Sequence, residues 1–150
     1  MEELINVLSA KGMTLSCAES LTGGLFAATL CQTAGVSKVF KGGVVTYCNE
    51  SKHDIIQVPQ YIIDEYGVVS AECASCMARG VKKIFNSDIA ISFTGNAGPD
   101  TLEGKPVGLV YIGLCIQETT MSFECLFDGE RNQIRQQCVE EGIKKILELI

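Results

Sequence analysis

The feature that most constrains this chain is a passage near its start. A short half-apolar run, Met13 to Cys17, feeds a polar elbow, Ala18-Glu19-Ser20-Leu21-Thr22-Gly23-Gly24, and an apolar run begins at Leu25 and reaches Cys31. A strand that turns directly into a helix points to a layered α/β arrangement. Met13, Leu15 and Cys17 share one face of the strand, and Leu25 to Cys31 is apolar almost all round, which predicts a buried helix. A serine exposed at such an elbow has its hydroxyl held by rigid elements. The N–H groups near Thr22, Gly23 and Gly24 can face an anion or a developing oxyanion. Ser, Thr and Gly also cap helices, so the elbow alone leaves both readings open.

Helix and strand signals alternate along the rest of the chain. Glu2 to Ala10 reads as a short helix, and Val39 to Tyr47 as a second strand interrupted by Gly42-Gly43, the mark of a bulge or a close backbone approach. Glu50 to Gln57 and Gln60 to Tyr66 are short helical turns on either side of Pro59. The spacing predicts a helix over Ser70 to Phe85, with Ser70 as cap and Cys73, Cys76, Met77, Gly80, Val81 and Ile84 as its apolar stripe. Ile89 to Phe93 is a continuous apolar run, as in a strand buried on both faces. Val107 to Ile116 and Met121 to Phe127 form a hairpin around Gln117-Glu118-Thr119. A last helix starts near Asp128, with Ile134, Cys138, Val139, Ile143, Ile146 and Leu147 inward. The expectation is one α/β domain over residues 1–150, three layers in α/β/α order around a mixed, partly parallel sheet.

Composition narrows the function classes. The net charge of −6 argues against a nucleic-acid surface but leaves room for a small anionic ligand. Val107 to Ile116, the longest apolar run, is too short to span a bilayer. The acidic start, Met1-Glu2-Glu3, lacks the basic flank of a secretory signal, so a cytoplasmic protein is expected. Most of the eight cysteines sit in apolar runs as small hydrophobes. Cys73 and Cys76 spell C-x-x-C, but they lie on one apolar stripe and no second pair exists. The core reading is therefore preferred to zinc, and neither metal nor cofactor is expected.

Four polar clusters each end a regular element: Ser20 to Gly24, Tyr47 to Lys52, Thr94-Gly95-Asn96-Ala97-Gly98-Pro99, and Asp128 to Arg131 with Arg135 one turn on. If the first three strands run parallel, Ser20, Tyr47 and Thr94 gather at one sheet edge, where ligands of open α/β sheets bind. A serine needs a base to become a nucleophile, and His53 is the only histidine, expected at the surface. Lys52, with a lowered pKa, and the Tyr47 phenol are the candidate bases. Arg131 in the first turn of a helix opposes the macrodipole, which makes sense if an anion binds there, or if Asp128 or Glu130 pairs with it. Glu19 either orients Lys52 or sits at the helix start.

At these residues the chain resembles the CinA carboxyl-terminal domain family. The matches are Ala18 to Gly24, Phe40 to Lys52, Gly67-Val68-Val69-Ser70, Thr94 to Pro99, Lys105-Pro106-Val107-Gly108, and Phe127 to Arg131 with Ile134-Arg135, in family order over almost the whole chain. The resemblance implies hydrolysis of the carboxamide of nicotinamide mononucleotide to nicotinate mononucleotide and ammonia. By the same resemblance Ser20 is the nucleophile, Tyr47 and Lys52 manage protons, and Thr94, with Gly95 and Asn96, orients the substrate. Arg131 and Arg135 hold its phosphate. The chain departs from the family pattern at Asn96, where an aliphatic residue is usual, and in the loop Asp100 to Gly104. Those departures keep a second reading open, a non-catalytic pyridine-nucleotide-binding or protein-interaction module. A homo-oligomer is expected on either reading.

Overall fold

The computed structural model describes residues 1–150. Elements alternate as expected: α1 (Glu2–Lys11), β1 (Leu15–Glu19), α2 (Leu25–Cys31), β2 (Phe40–Val45), α3 (Asn49–Asp54), α4 (Gln60–Tyr66), α5 (Ala71–Phe85), β3 (Ile89–Gly95), the hairpin β4 (Leu109–Ile116) and β5 (Thr119–Leu126), and α6 (Arg131–Leu149). The five strands form one sheet in the order β2-β1-β3-β4-β5. β1 pairs in parallel with β2 and with β3, while β4 and β5 run antiparallel. The three-layer α/β/α domain with a mixed, partly parallel sheet is therefore what the chain forms.

The two sheet faces differ in side-chain size, and this sets the layers. Leu15, Cys17, Ile89, Ile91, Phe93, Val110, Ile112 and Leu114 join one apolar cluster with α1, α2 and α6. Such a face, buried throughout, contributes about 1.5–3 kcal/mol per large side chain. The opposite face carries Ser16, Ala18, Ala90, Ser92 and Gly113. These small residues let α5 lie close: a Cβ on Gly113 would collide with the Ala74 carbonyl, and Ser92 Oγ donates to that same carbonyl at 2.6 Å. Ser70 caps α5 as expected, accepting from the Cys73 N–H at 3.1 Å.

Several expectations shift by local cause. The first strand begins at Leu15 rather than Met13, because the Met13 amide still donates to Leu8 at the end of α1 and Thr14 is tied to Asp88. β1 is buried on both faces, since strands pair on either side of it and helices cover the sheet. α2 buries only Phe26 and Leu30, one stripe rather than its whole circumference. On α5, Ile84 is 48% exposed and Ala74 and Ala78 take the inward positions. The bulge expected at Gly42-Gly43 falls one residue earlier, at Lys41, where the β1–β2 register slips between Leu15 and Ser16, and the two glycines mark close approach to Phe85 and Cys17. α6 starts at Arg131, because Glu130 and Gln133 form a capping box before it. No helix is long and apolar enough to cross a membrane.

Candidate active site

The parallel strands β1, β2 and β3 end side by side, which brings the first three polar clusters together. The Ser20 amide donates to Phe93 O at 3.0 Å, and the Thr46 amide donates to Glu19 O at 2.9 Å. Ser20 thus continues β1 between the ends of its two neighbours. It is 9% exposed, not the open elbow serine the sequence suggested, and its remaining exposure is to a cavity.

The elbow is built by its own polar groups. Gly23 and Gly24 adopt positive φ, 56° and 96°, which residues with a Cβ rarely take. The Gly23 amide closes a turn on Ser20 O at 3.0 Å. The Glu19 carboxylate, 1% exposed, accepts from the amides of Gly24 at 3.0 Å, Phe26 at 3.1 Å and Ala27 at 2.9 Å. It therefore satisfies the start of α2 and does not orient Lys52. The amides of Gly23 and Gly24 are consumed inside the loop, which corrects the expectation that they face a ligand. Among residues lining the cavity, the amides of Leu21, Tyr47, Ala97, Gly98 and Asp100 have no acceptor in the chain.

Lys52 belongs to the first turn of α3, the helix that follows β2, and its side chain folds back into the protein. It is 1% exposed. Its Nζ lies 3.0 Å from Ser20 Oγ and donates to Thr46 O at 2.8 Å and Tyr47 O at 3.4 Å. Burial pulls the Lys52 pKa below that of an ordinary lysine, against the opposing pull of Cys73, Cys48 and Glu103. A neutral amine has two N–H groups and one lone pair. Two carbonyls take the N–H groups here, and the lone pair is left for the serine proton.

Tyr47 is 59% exposed, and its hydroxyl accepts from Arg131 at 2.8 Å, so the phenol stands at the cavity rim. Arg131 also donates to Gly98 O. It pairs with no carboxylate: neither Asp128 nor Glu130 bridges to it. The cavity, about 210 Å³, is lined by Ser20, Leu21, Tyr47, Asn96, Leu102 and Arg131 among others.

Three expected ligand contacts have other work. Arg135 is spent on the elbow itself, donating to Leu21 O at 3.1 Å, Thr22 O at 2.7 Å and Asn132 Oδ1 at 3.0 Å. Its side chain clamps the turn that carries Ser20 and is not free for a phosphate. Thr94 is buried, and its hydroxyl donates to Val68 O at 2.6 Å, tying β3 to the entry of α5. Asn96 is 3% exposed, and its amide group is fully used: it donates to Leu102 O at 3.2 Å and Lys105 O at 3.0 Å and accepts from the Leu102 amide at 3.0 Å. It shapes the loop over the cavity. Thr22 is buried with its hydroxyl unpartnered, and Gly95 lines the cavity through its backbone.

Glu103 escaped the sequence reading. Its carboxylate accepts from the amides of Val68 at 2.6 Å and Val69 at 3.1 Å and pairs with Lys105 at 3.2 Å. Nothing local in a polar loop reveals a partner thirty-odd residues away. Cys73 and Cys76 lie on the buried face of α5, where burial pushes the Cys73 thiol up to about 12. His53 is exposed, with Nδ1 2.9 Å from Val58 O.

The model of the CinA C-terminal domain matches residues 1–150. A competence-damage inducible protein of Bacillus cytotoxicus is 52% identical over 139 residues, covering 92% of this chain and 34% of its own length. One from Listeria monocytogenes is 45% identical, covering 100% of this chain and 37% of the relative. The chain thus spans about a third of the length of these curated relatives. Among solved structures, the competence damage-inducible protein A of Klebsiella pneumoniae superposes with a TM-score of 0.95 at 31% identity, covering 99% of this chain and 95% of that one. A competence/damage inducible protein of Agrobacterium tumefaciens gives 0.93 at 34% identity, covering 99% and 94%. The chain belongs to the CinA C-terminal domain family.

Proposed function

We propose that this domain is an amidohydrolase that cleaves the carboxamide of nicotinamide mononucleotide to nicotinate mononucleotide and ammonia. One observation carries the reading: a buried lysine amine, biased toward its neutral form, lies 3.0 Å from Ser20 Oγ at the wall of a cavity. A nucleophile within hydrogen-bond reach of a base, the base oriented by further groups, is the arrangement that activates a hydroxyl.

In this reading Ser20 Oγ attacks the amide carbon as its proton passes to Lys52 Nζ. The carbonyl oxygen becomes an oxyanion, for which the free amide of Leu21, directly after the nucleophile, is the nearest donor in sequence. Lys52, now an ammonium, returns the proton to the departing nitrogen, and ammonia leaves an ester on Ser20. Water then adds to the ester with Lys52 again as base, and the carboxylate product is released. Tyr47 is held at the rim by Arg131 and contributes to binding, so Lys52 rather than Tyr47 is assigned as base.

The substrate class follows from size and charge. The cavity of about 210 Å³ lies below the range of roughly 300–1,000 Å³ usual for whole small-molecule ligands. It suits the amide-bearing ring, with the phosphate left at the rim beside Arg131, which has no carboxylate partner. Ammonia release from nicotinamide mononucleotide tests the reading, with Ser20→Ala as control. Loss of release in that variant, with its fold intact, supports it. Binding of the nucleotide without ammonia release by the unaltered protein would instead favour the binding module.

A further inference from the structure

We propose that the outer surface of α5, remote from Ser20, is a second ligand site that takes a nucleotide carrying two or more phosphates. This goes beyond the amidase reading and does not depend on it. Three adjoining cavities meet at Arg79, which lines all of them. One, of about 370 Å³, lies between the end of α5 and the β4–β5 hairpin and is lined by Arg79, Lys82, Lys83, Asn86, Gln117 and Thr120, among others. Another, of about 350 Å³, lies toward α4 and is lined by Pro59, Tyr61 and Ile62 beside Arg79. A cationic end thus adjoins an aromatic and apolar end, with one guanidinium between them.

The cations form no ion pair within the fold. Arg79, Lys82 and Lys83 pair with no carboxylate in a chain of net charge −6. Arg79 makes one side-chain hydrogen bond, to Cys76 Sγ at 3.0 Å, and a thiol is a weak acceptor. Spaced i, i+3 and i, i+4, the three cations repel one another on the helix surface. The negative end of the macrodipole offsets this for Lys82 and Lys83 in the last turn, but Arg79 stands one turn too early. Asp88, the carboxylate nearest in sequence after the helix, attracts Lys82 at longer range but makes its hydrogen bonds to Thr14 and does not reach Arg79. Glu118 also lines the cationic cavity and Glu72 the aromatic one, but neither bridges to Arg79. Guanidinium and ammonium groups recognise phosphate, and the side-chain amides of Asn86 and Gln117 line the same cavity as further donors. Tyr61, 59% exposed, offers a ring face for a base.

Adenosine diphosphate is a suitable probe, with inorganic pyrophosphate and adenosine as its two halves. Calorimetric titration of the full chain at low ionic strength compares the unaltered protein with Arg79→Ala, Lys82→Ala/Lys83→Ala and Arg131→Ala. The expected result is binding that weakens about tenfold or more in Arg79→Ala and in the double lysine variant, as loss of charge-assisted hydrogen bonds requires. Arg131→Ala should leave it within about twofold, the additivity expected of a distant site. No binding of adenosine diphosphate at millimolar concentration overturns the proposal. So does loss of binding in Arg131→Ala alone, which would place the probe at the amidase cavity. Pyrophosphate binding as tightly as adenosine diphosphate would overturn the nucleotide assignment, because the aromatic end would then contribute nothing.

Discussion

Lys52 Nζ lies 3.0 Å from Ser20 Oγ, although the two residues are 32 positions apart and belong to different elements. The contact exists because β1 and β2 are adjacent and parallel, so that the residues after each strand meet at one edge. The lysine is buried and its pKa lowered by that burial, which favours the neutral amine that can take a proton.

Activity should rise with pH as Lys52 loses its proton, and Lys52→Met should remove that limb together with at least about a thousandfold of the rate. Lys52→Arg should be equally inactive, because a guanidinium keeps its proton. A pH–rate profile checks this. A Lys52→Met protein that retains turnover would assign the base elsewhere.

Stability carries the same signature. The folded pKa of Lys52 lies below its unfolded value of 10.5, so between those two values the unfolded chain binds more protons and stability rises with pH. Below the folded pKa the cost of burying the charge is fully present. Denaturant titration of the unaltered protein and Lys52→Met, near neutral pH and again near pH 10, should show their difference moving in favour of the unaltered protein at high pH. A constant difference would contradict the burial argument.

Arg131 and Arg135, four residues apart on one helix, should separate cleanly. Arg131→Ala should raise KM for the nucleotide about 10–100-fold, the worth of a lost charge-assisted phosphate contact, and leave the dephosphorylated nucleoside unaffected. Arg135→Ala should lower kcat and the melting temperature together, because it frees the carbonyls of Leu21 and Thr22 beside the nucleophile. Steady-state kinetics on both substrates, with a thermal melt, distinguishes rim from clamp.

Asn96→Val removes a side-chain amide that this chain uses fully. The carbonyls of Leu102 and Lys105 and the Leu102 amide lose their partner, a loss of roughly 1–3 kcal/mol if they stay buried. The Leu102 amide should exchange faster with solvent, and KM should rise more than kcat falls. Hydrogen exchange and kinetics provide the check.

Glu19→Ala should be among the most destabilising changes at the site, by about 3 kcal/mol or more, because three helix-start amides lose a charged acceptor. Chemical denaturation measures it. A loss well under 1 kcal/mol would mean that solvent satisfies those amides instead.

The sequence by itself determined the order of elements, the three-layer class and the positions of the polar clusters. Those properties follow from hydrophobic periodicity and turn chemistry, which are local. The Ser20–Gly24 elbow, the Ser70 cap and the C-x-x-C pair on a core stripe were legible for that reason. Only the tertiary structure decided what each polar side chain touches. Glu19 could have met Lys52 but closes the start of α2. Arg135 shares a helix face with Arg131 yet is consumed by two carbonyls more than a hundred residues earlier. Thr94 and Glu103 turned out to hold the framework because their partners at Val68 and Val69 lie across the fold, while Asn96 folds its own loop onto itself. A buried polar group must find a partner wherever packing places one, and periodicity carries no record of that choice.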